Sequence, residues 1–227
     1  MSVQQPLDSR DNSKAERVYA DLRRRIRELA LPPGAALRKE EIAVALGVSR
    51  APVSEAIARL AEEGLVDVFP QHGSFVAAIR ASDVRESLLI RMALESEAMR
   101  RAATLIDSVT QRLLDANILE QERALKAKDL PRFYDLDEAM HAIIFGVLKM
   151  PRTVRLLDAA RAPLDRVRRL ALPEGGRARE TLAEHKRIVE ALRSGDADLA
   201  QAAMRAHLTA VSRSIEWALA EVEEGRG

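Results

Sequence analysis

Three of the four histidines in this 227-residue chain, His141, His185 and His207, lie beyond residue 140, each on an apolar helical stripe. Asp137 precedes His141 by four residues, so both project from one helix face, which continues through Ile144 and Leu148. His185 lies between Leu182 and Ile188-Val189, and His207 lies in the stripe Met204, Leu208, Val211, Ile215. Three imidazoles and one carboxylate are thereby directed into a core that offers little else polar. A lone histidine on such a face is ordinarily a hydrogen-bonded core residue. Four inward polar groups are a heavier load, because each one left unpaired costs about 1–3 kcal/mol. One cation could satisfy all four, and neutral imidazole with carboxylate suits Zn²⁺, Ni²⁺ or a related divalent ion. On spacing alone, ordinary core histidines and a metal site both stay open.

Arg91, in Arg91-Met92-Ala93-Leu94-Glu95, is the next candidate. Its plain reading is a surface pair with Glu95 one helical turn on, worth a few tenths of a kcal/mol. Its other reading is a clamp for a carboxylate ligand, since guanidinium offers a planar fork of donors. Arg161, Asp165 and Arg168 could line the same cavity, but their sequence context does not orient them. A His₃Asp metal site with an open position could also activate water for hydrolysis. Against that enzyme reading, the chain has no second acid/base constellation, nucleophile motif or phosphate-binding loop.

The elements that must position these residues are helices. The chain is 47% hydrophobic, 31% charged and only 3% aromatic, and Ala, Leu, Arg and Glu dominate, a composition that favours helix. Beyond residue 80 the pattern predicts six helices, at about 83–104, 108–128, 130–149, 151–171, 177–194 and 196–222. Asp, Ser, Pro or Gly marks each break, at Asp107-Ser108, Asp129-Leu130-Pro131, Met150-Pro151, Pro173 to Gly176 and Ser194-Gly195-Asp196. Six antiparallel helices of this length form a bundle able to hold a site in its core. The expected organisation is a disordered arm over 1–13, a first domain over 14–79, a linker over 80–82 and the helical domain over 83–223, with Ser82 as the N-cap of its first helix.

The chain has no cysteine, which excludes disulfides and thiolate metal sites. No apolar run approaches the roughly 18 residues needed to span a membrane, and the polar N-terminus lacks a signal-peptide core. A cytoplasmic protein with no membrane partner is expected. Net charge is +1, and residues 1–80 hold 12 Lys/Arg against 11 Asp/Glu, so a basic surface must come from arrangement. Arg23, Arg24, Arg25 and Arg27 cluster on a first helix, expected at about 14–29, with Val18, Leu22, Ile26 and Leu29 on its apolar face.

Residues 31–64 carry the clearest local signal. Ile42, Ala43 and Leu46 give one short amphipathic helix; Val53, Ile57 and Leu60 give a second; Gly47 turns between them. Ser49 is placed to cap the second helix, and Pro52 falls in its first turn. Such a pair forms a helix-turn-helix whose second helix can enter a DNA major groove. Val66-Asp67-Val68-Phe69 and Ser74-Phe75-Val76, around Gln71-His72-Gly73, predict a hairpin wing. The fold class expected is mainly α: an N-terminal winged helix-turn-helix with a small β-hairpin, then an all-α six-helix bundle.

Leu31-Pro32-Pro33-Gly34, Leu37, Gly47-Val48-Ser49-Arg50, Pro52-Val53, Glu55-Ala56, Leu60, Glu63-Gly64-Leu65-Val66 and His72-Gly73 together resemble the GntR family of bacterial transcription regulators. The helical half resembles the FCD effector-binding domain of its FadR branch, in the shorter VanR-like form. That resemblance implies a homodimeric, DNA-binding regulator reading a pseudo-palindromic double-stranded operator. It places a divalent metal on Asp137, His141, His185 and His207, zinc first, with nickel or manganese as alternatives. It also implies a small organic acid as effector, with Arg91 facing it. Arg38, Lys39, Ser49, Arg50, Ser54, His72 and Gly73 are the expected DNA contacts. A regulator whose metal is purely structural is the alternative, and a metal-dependent hydrolase is the remote one. The match departs at Ala51 and Ser54, where the family usually has Thr and Arg, and at Lys39, where many relatives have Glu. The missing arginine removes a contact worth about 1–3 kcal/mol of base discrimination, so relatives' operators do not transfer.

Overall fold

The computed structural model describes residues 9–171 and 176–223, and they divide into two compact units, 1–83 and 84–227. The described residues form nine helices and one two-stranded sheet. Most of the arm expected over 1–13, residues 1–8, lies outside the described residues, and helix already begins at Ser9.

In the first unit, α1 (Ser9–Arg27) packs on α3 (Arg50–Glu62), and α2 (Lys39–Leu46) completes the helix-turn-helix. Val18, Leu22 and Ile26 are buried with Val53, Ile57 and Leu60, so the apolar stripes read from the sequence form this core. Gly47 ends α2 in the left-handed region at φ 64°, a backbone that L side chains adopt only with strain. Ser49 holds the N-cap position of α3 in extended conformation, but its side chain makes no capping bond. The expected cap is thus a cap by position alone, and the hydroxyl stays exposed.

The wing pairs β1 (Val66–Phe69) with β2 (Gly73–Val76), antiparallel, from Val66↔Val76 to Phe69↔Gly73. Gln71 and Gly73, both at positive φ, shape the tip. On the other side of β2, Leu37 N–H donates to the Ser74 carbonyl at 2.8 Å and Val76 N–H to the Ala35 carbonyl at 2.9 Å. The segment before α2 is therefore tied to the wing, a pairing that Pro32-Pro33-Gly34 did not announce.

The second unit is built from α4 (Ala81–Ala102), α5 (Ser108–Lys126), α6 (Leu130–Gly146), α7 (Pro151–Ala171), α8 (Gly176–Ser194) and α9 (Ala197–Glu223). Asp107, Asp129 and Asp196 each accept backbone N–H bonds at a helix start, the reason those breaks were legible. Ser82 is not such a cap: α4 starts at Ala81, and the Ser82 hydroxyl donates to Asp83 instead. Of the break expected at 173–176, Pro173, Glu174 and Gly175 lie outside the described residues. The bundle core is Met99, Leu114, Met140, Ile144, Ile188, Met204 and their neighbours. No described helix is long and apolar enough to cross a membrane.

Candidate metal centre and DNA-reading surface

All six helices of the second unit send a polar side chain to one buried place. The ligating atoms offered by His141, His185 and His207 lie within 4.8 Å of one another. The three rings are at most 2% exposed, and Asp137 is 7% exposed. Asp137 Oδ1 lies 3.0 Å from His185 Nε2 and 3.8 Å from His141 Nε2. The four residues singled out in the sequence are thus brought together.

Behind each imidazole stands an acceptor. His185 Nδ1 is 2.8 Å from Gln121 Oε1, and His207 Nδ1 is 2.8 Å from Glu184 Oε2. His141 Nδ1 is 3.0 Å from Glu95 Oε2, but too poorly aligned for a hydrogen bond. Proton-bearing Nδ1 atoms facing acceptors leave the Nε2 lone pairs for a common centre, the arrangement that holds ligating histidines. The Gln121 amide is fixed from behind: its Nε2 donates to Asn117 Oδ1 at 2.7 Å, and Asn117 Nδ2 donates to the Leu136 carbonyl at 3.0 Å. A carbonyl can only accept, so the whole run is oriented and His185 Nδ1 must be its donor.

The consequence is physical. The Nε2 atoms of His141 and His185 have no hydrogen-bond partner. A neutral His185 turns its Nε2 lone pair toward a carboxylate oxygen, and two acceptors at that separation repel unless a proton or a cation lies between. The donor set fits a divalent ion with a taste for imidazole and carboxylate.

Charge around the centre is balanced. Arg91 Nε donates to Glu95 Oε1 at 2.7 Å, and Arg161 donates to the same oxygen at 3.2 Å. Arg168 lies 3.4 Å from Asp137 Oδ2. Burial pushes the Glu95 and Asp137 carboxyls up, yet both stay well below the usual carboxylate range. For Glu95 the overriding groups are Arg161, Arg91 and His141; for Asp137 they are His185 and Arg168. Burial lowers His141 to about 3, helped by Arg161 and opposed by Glu95, and lowers His207 to about 4 against the pull of Glu184. Both rings are therefore neutral and ready to ligate near neutral pH.

Arg91 does pair with Glu95, but inside the protein: Arg91 is 3% exposed. Glu95, Gln121, Asn117 and Glu184 were missed in the sequence. One signal was present, since Leu114, Asn117, Gln121 and Ala124 fall on one buried stripe of α5, where amides are out of place unless they have a task.

In the first unit, Arg38 and Arg50 have side chains 70% and 72% exposed. Arg38 pairs with Glu41 at 2.9 Å, and Arg50 pairs with Glu40 at 3.0 Å, joining the starts of α2 and α3. Lys39 and Ser54 are half-buried, while Ser49, His72 and Gly73 are exposed. The arginine cluster on α1 splits. Arg24 is exposed, but Arg23 is buried and donates to Glu63 at 2.9 Å. Tyr19 donates to Glu63 as well, and burial with that bond raises its pKa to about 12. Arg23 therefore fastens α1 to the end of α3.

A winged helix-turn-helix on the same chain as a helical unit with a polar, metal-competent centre is the architecture of a DNA-binding regulator. Comparison with known proteins makes the class specific. Residues 14–76 match the model of the bacterial regulatory proteins of the gntR family, and residues 86–210 match that of the FCD domain. An uncharacterized HTH-type transcriptional regulator from Streptomyces ambofaciens is 39% identical, covering 88% of this chain and 84% of that protein. The HTH-type transcriptional repressor RspR of Escherichia coli K12 is 34% identical, covering 88% of each. Among solved structures, E. coli McbR/YncC shares the fold, with TM-score 0.80 at 20% identity over 90% of this chain and 97% of that one. The chain belongs to the GntR family of DNA-binding transcription regulators, with an FCD domain as its second half.

Proposed function

We propose that this regulator acts in the cytoplasm as a homodimer on a pseudo-palindromic operator, and that a small organic acid bound at a metal centre sets its operator affinity. The observation that carries this reading is the convergence of three buried imidazoles on Asp137, each with an acceptor behind its Nδ1. Asp137, His141, His185 and His207 would hold the ion, zinc by donor preference, with nickel or manganese also compatible. When bound, the ion would supply a Lewis-acid charge that attracts a carboxylate oxygen. Arg91, Arg161 and Arg168 face Glu95, Asp137 and Asp165, and Glu184 behind His207 is paired with Arg177, so with neutral imidazoles the charge of a divalent ion has no counterpart. That excess favours an anionic effector. Arg91 would contribute by directing positive charge at it, with Glu95 holding the guanidinium in place.

DNA contact is proposed for Arg38, Lys39, Ser49, Arg50, Ser54 and the wing tip at His72 and Gly73. Two-fold related reading heads require symmetric half-sites. The effector must bind two arrangements of those heads with different free energies to alter operator affinity. The test couples both halves: elemental analysis of purified protein, then operator binding with and without carboxylates, in metal-loaded and chelated samples. An operator response to a carboxylate that persists after chelation would sink the metal-centred reading. A purely structural metal has one observation in its favour, since the Arg91 Nε is already engaged by Glu95; it requires operator affinity indifferent to every carboxylate.

A further inference from the structure

His207 is backed differently from its two companions. Behind His185 stands a neutral amide, Gln121 Oε1, at 2.8 Å. Behind His141 stands Glu95, out of line for a hydrogen bond. Behind His207 stands an aligned carboxylate, with Glu184 Oε2 at 2.8 Å from Nδ1. Glu184 is itself gripped. Arg177 lies seven residues earlier on α8, two turns away on the same face. Its Nη1 donates to Glu184 Oε1 and its Nη2 to Oε2, each at 2.8 Å. Two parallel bonds between planar groups fix a carboxylate in direction as well as in place. The two side chains are only 16% and 13% exposed. Arg177 Nη1 also donates at 3.1 Å to Glu180, whose side chain is 70% exposed.

Resting on the metal-centre reading above, we propose that Arg177 is a positioning residue for an ion it does not touch. Through Glu184 it fixes the tautomer of His207 and makes that ring the strongest imidazole donor of the three. The polarity of the run is set from its outer end. A guanidinium can only donate, so Glu184 accepts on both oxygens, and His207 Nδ1 must bring the proton to the contact they share. A carboxylate draws on that proton harder than an amide oxygen does, which leaves more electron density at Nε2, the ligating atom. Arg177 keeps the carboxylate turned to the ring instead of to water. Gln121 does the equivalent for His185 without a charge, so the chain carries its own comparison. No local pattern marks the run: Glu184 and His207 are 23 residues apart and on different helices.

The test uses the full chain, stripped by chelator and titrated with zinc against a chromophoric competitor, with the stability of metal-free protein measured alongside. Glu184→Gln keeps an acceptor but removes the charge, and should lower zinc affinity about 10–100-fold. Arg177→Gln should lower it about three-fold or more, and Arg177→Lys, which keeps the charge but not the fork, should fall between that variant and wild type. The double variant should be no weaker than Glu184→Gln alone, because Arg177 acts through Glu184. Glu180→Gln, at the exposed end, should bind zinc as wild type does. In zinc-loaded wild type, nuclear magnetic resonance should place the Nδ1 proton of His207 downfield of that of His185, and Glu184→Gln should bring the two together. Losses that simply add in the double variant, or equal Nδ1 proton shifts in wild type, overturn this inference and leave the metal centre standing. A wild-type protein that takes up no zinc overturns the metal-centre reading, and this inference with it.

Discussion

Gln121 Oε1 accepts from His185 Nδ1 across 2.8 Å, and that contact decides which nitrogen of His185 faces Asp137. Since Asn117 and the Leu136 carbonyl fix the amide, Gln121 is a positioning residue for the proposed metal centre. Gln121→Leu, which removes the acceptor while keeping comparable bulk, should lower metal affinity about 10–100-fold. Gln121→Glu, which keeps an acceptor, should lose far less. Competition against a chromophoric chelator measures both. Equal loss in the two variants would show that only packing is at stake.

His185→Ala should cut metal occupancy and remove the stabilisation that a ligand confers by binding the folded state. With metal at 100 times its dissociation constant, that stabilisation is about 2.7 kcal/mol. Thermal melts of wild type and variant, each with and without chelator, should show a chelator-sensitive shift in wild type only. A wild-type melt that ignores chelator, in protein shown by elemental analysis to have been loaded, argues against preferential binding to the folded state.

The four inward polar residues were legible because apolar neighbours at helical spacing gave each a direction: Ile144 and Leu148 after His141, Met204 and Leu208 around His207. Their supporting acceptors were not. Glu95 sits one turn from Arg91 and so looks like half of a solvated pair; only the packing of α4 against neighbouring helices buries it. Glu184 adjoins His185 in sequence yet serves His207, a long-range pairing that local spacing cannot encode. Helix breaks were readable at Asp107, Asp129 and Asp196, where a carboxylate meets free backbone N–H groups. Ser49 and Ser82 offered the same signal without forming the bond. Arg23 was grouped with its neighbours by composition, but position on α1 turns it inward to Glu63.

Glu63 accepts from both Tyr19 and Arg23. Removing it takes from the nearly buried Arg23 guanidinium and the Tyr19 phenol the one acceptor that they share. Glu63→Ala should destabilise the first unit by about 2–3 kcal/mol, read as a lower denaturant midpoint. Glu63→Gln, which can still accept, should cost less. No change in midpoint for Glu63→Ala would reduce the contact to a surface pair.

Metal-free protein should lose stability in mild acid. His141 and His207 titrate near 6.5 when unfolded but only at about 3 and about 4 when folded. Between those values the unfolded chain binds more protons, so stability falls as pH drops from 6.5 towards 4. The slope is at most about 1.4 kcal/mol per pH unit for each histidine. Glu95, Asp137 and Glu184, all held below the usual carboxylate range, add their loss only beneath about pH 4.5. Denaturant titrations of chelated protein from pH 7 to 5 should follow the histidine slope. A flat profile would mean that both rings already carry protons in the fold, and half the slope that one of them does.

Arg50 and Glu40 supply the last prediction. Glu40 holds Arg50 at 3.0 Å across the starts of α2 and α3, and the pair is largely exposed. Arg50 lowers the Glu40 pKa by donating to it, so a carboxylate stands at the edge proposed to meet DNA. Arg50→Ala should reduce specific affinity by about 1–3 kcal/mol and relax base preference. Glu40→Gln should do the opposite to non-specific binding, strengthening it by removing a charge that repels phosphate. Arg24→Ala, on the exposed face of α1, should weaken all sequences alike and flatten the salt dependence by about one contact if it touches phosphate. Fluorescence anisotropy on selected and scrambled duplexes at several salt concentrations separates these behaviours. Should Arg50→Ala weaken both duplexes equally, Arg50 contacts phosphate, and base reading must come from Arg38, Lys39 or the wing.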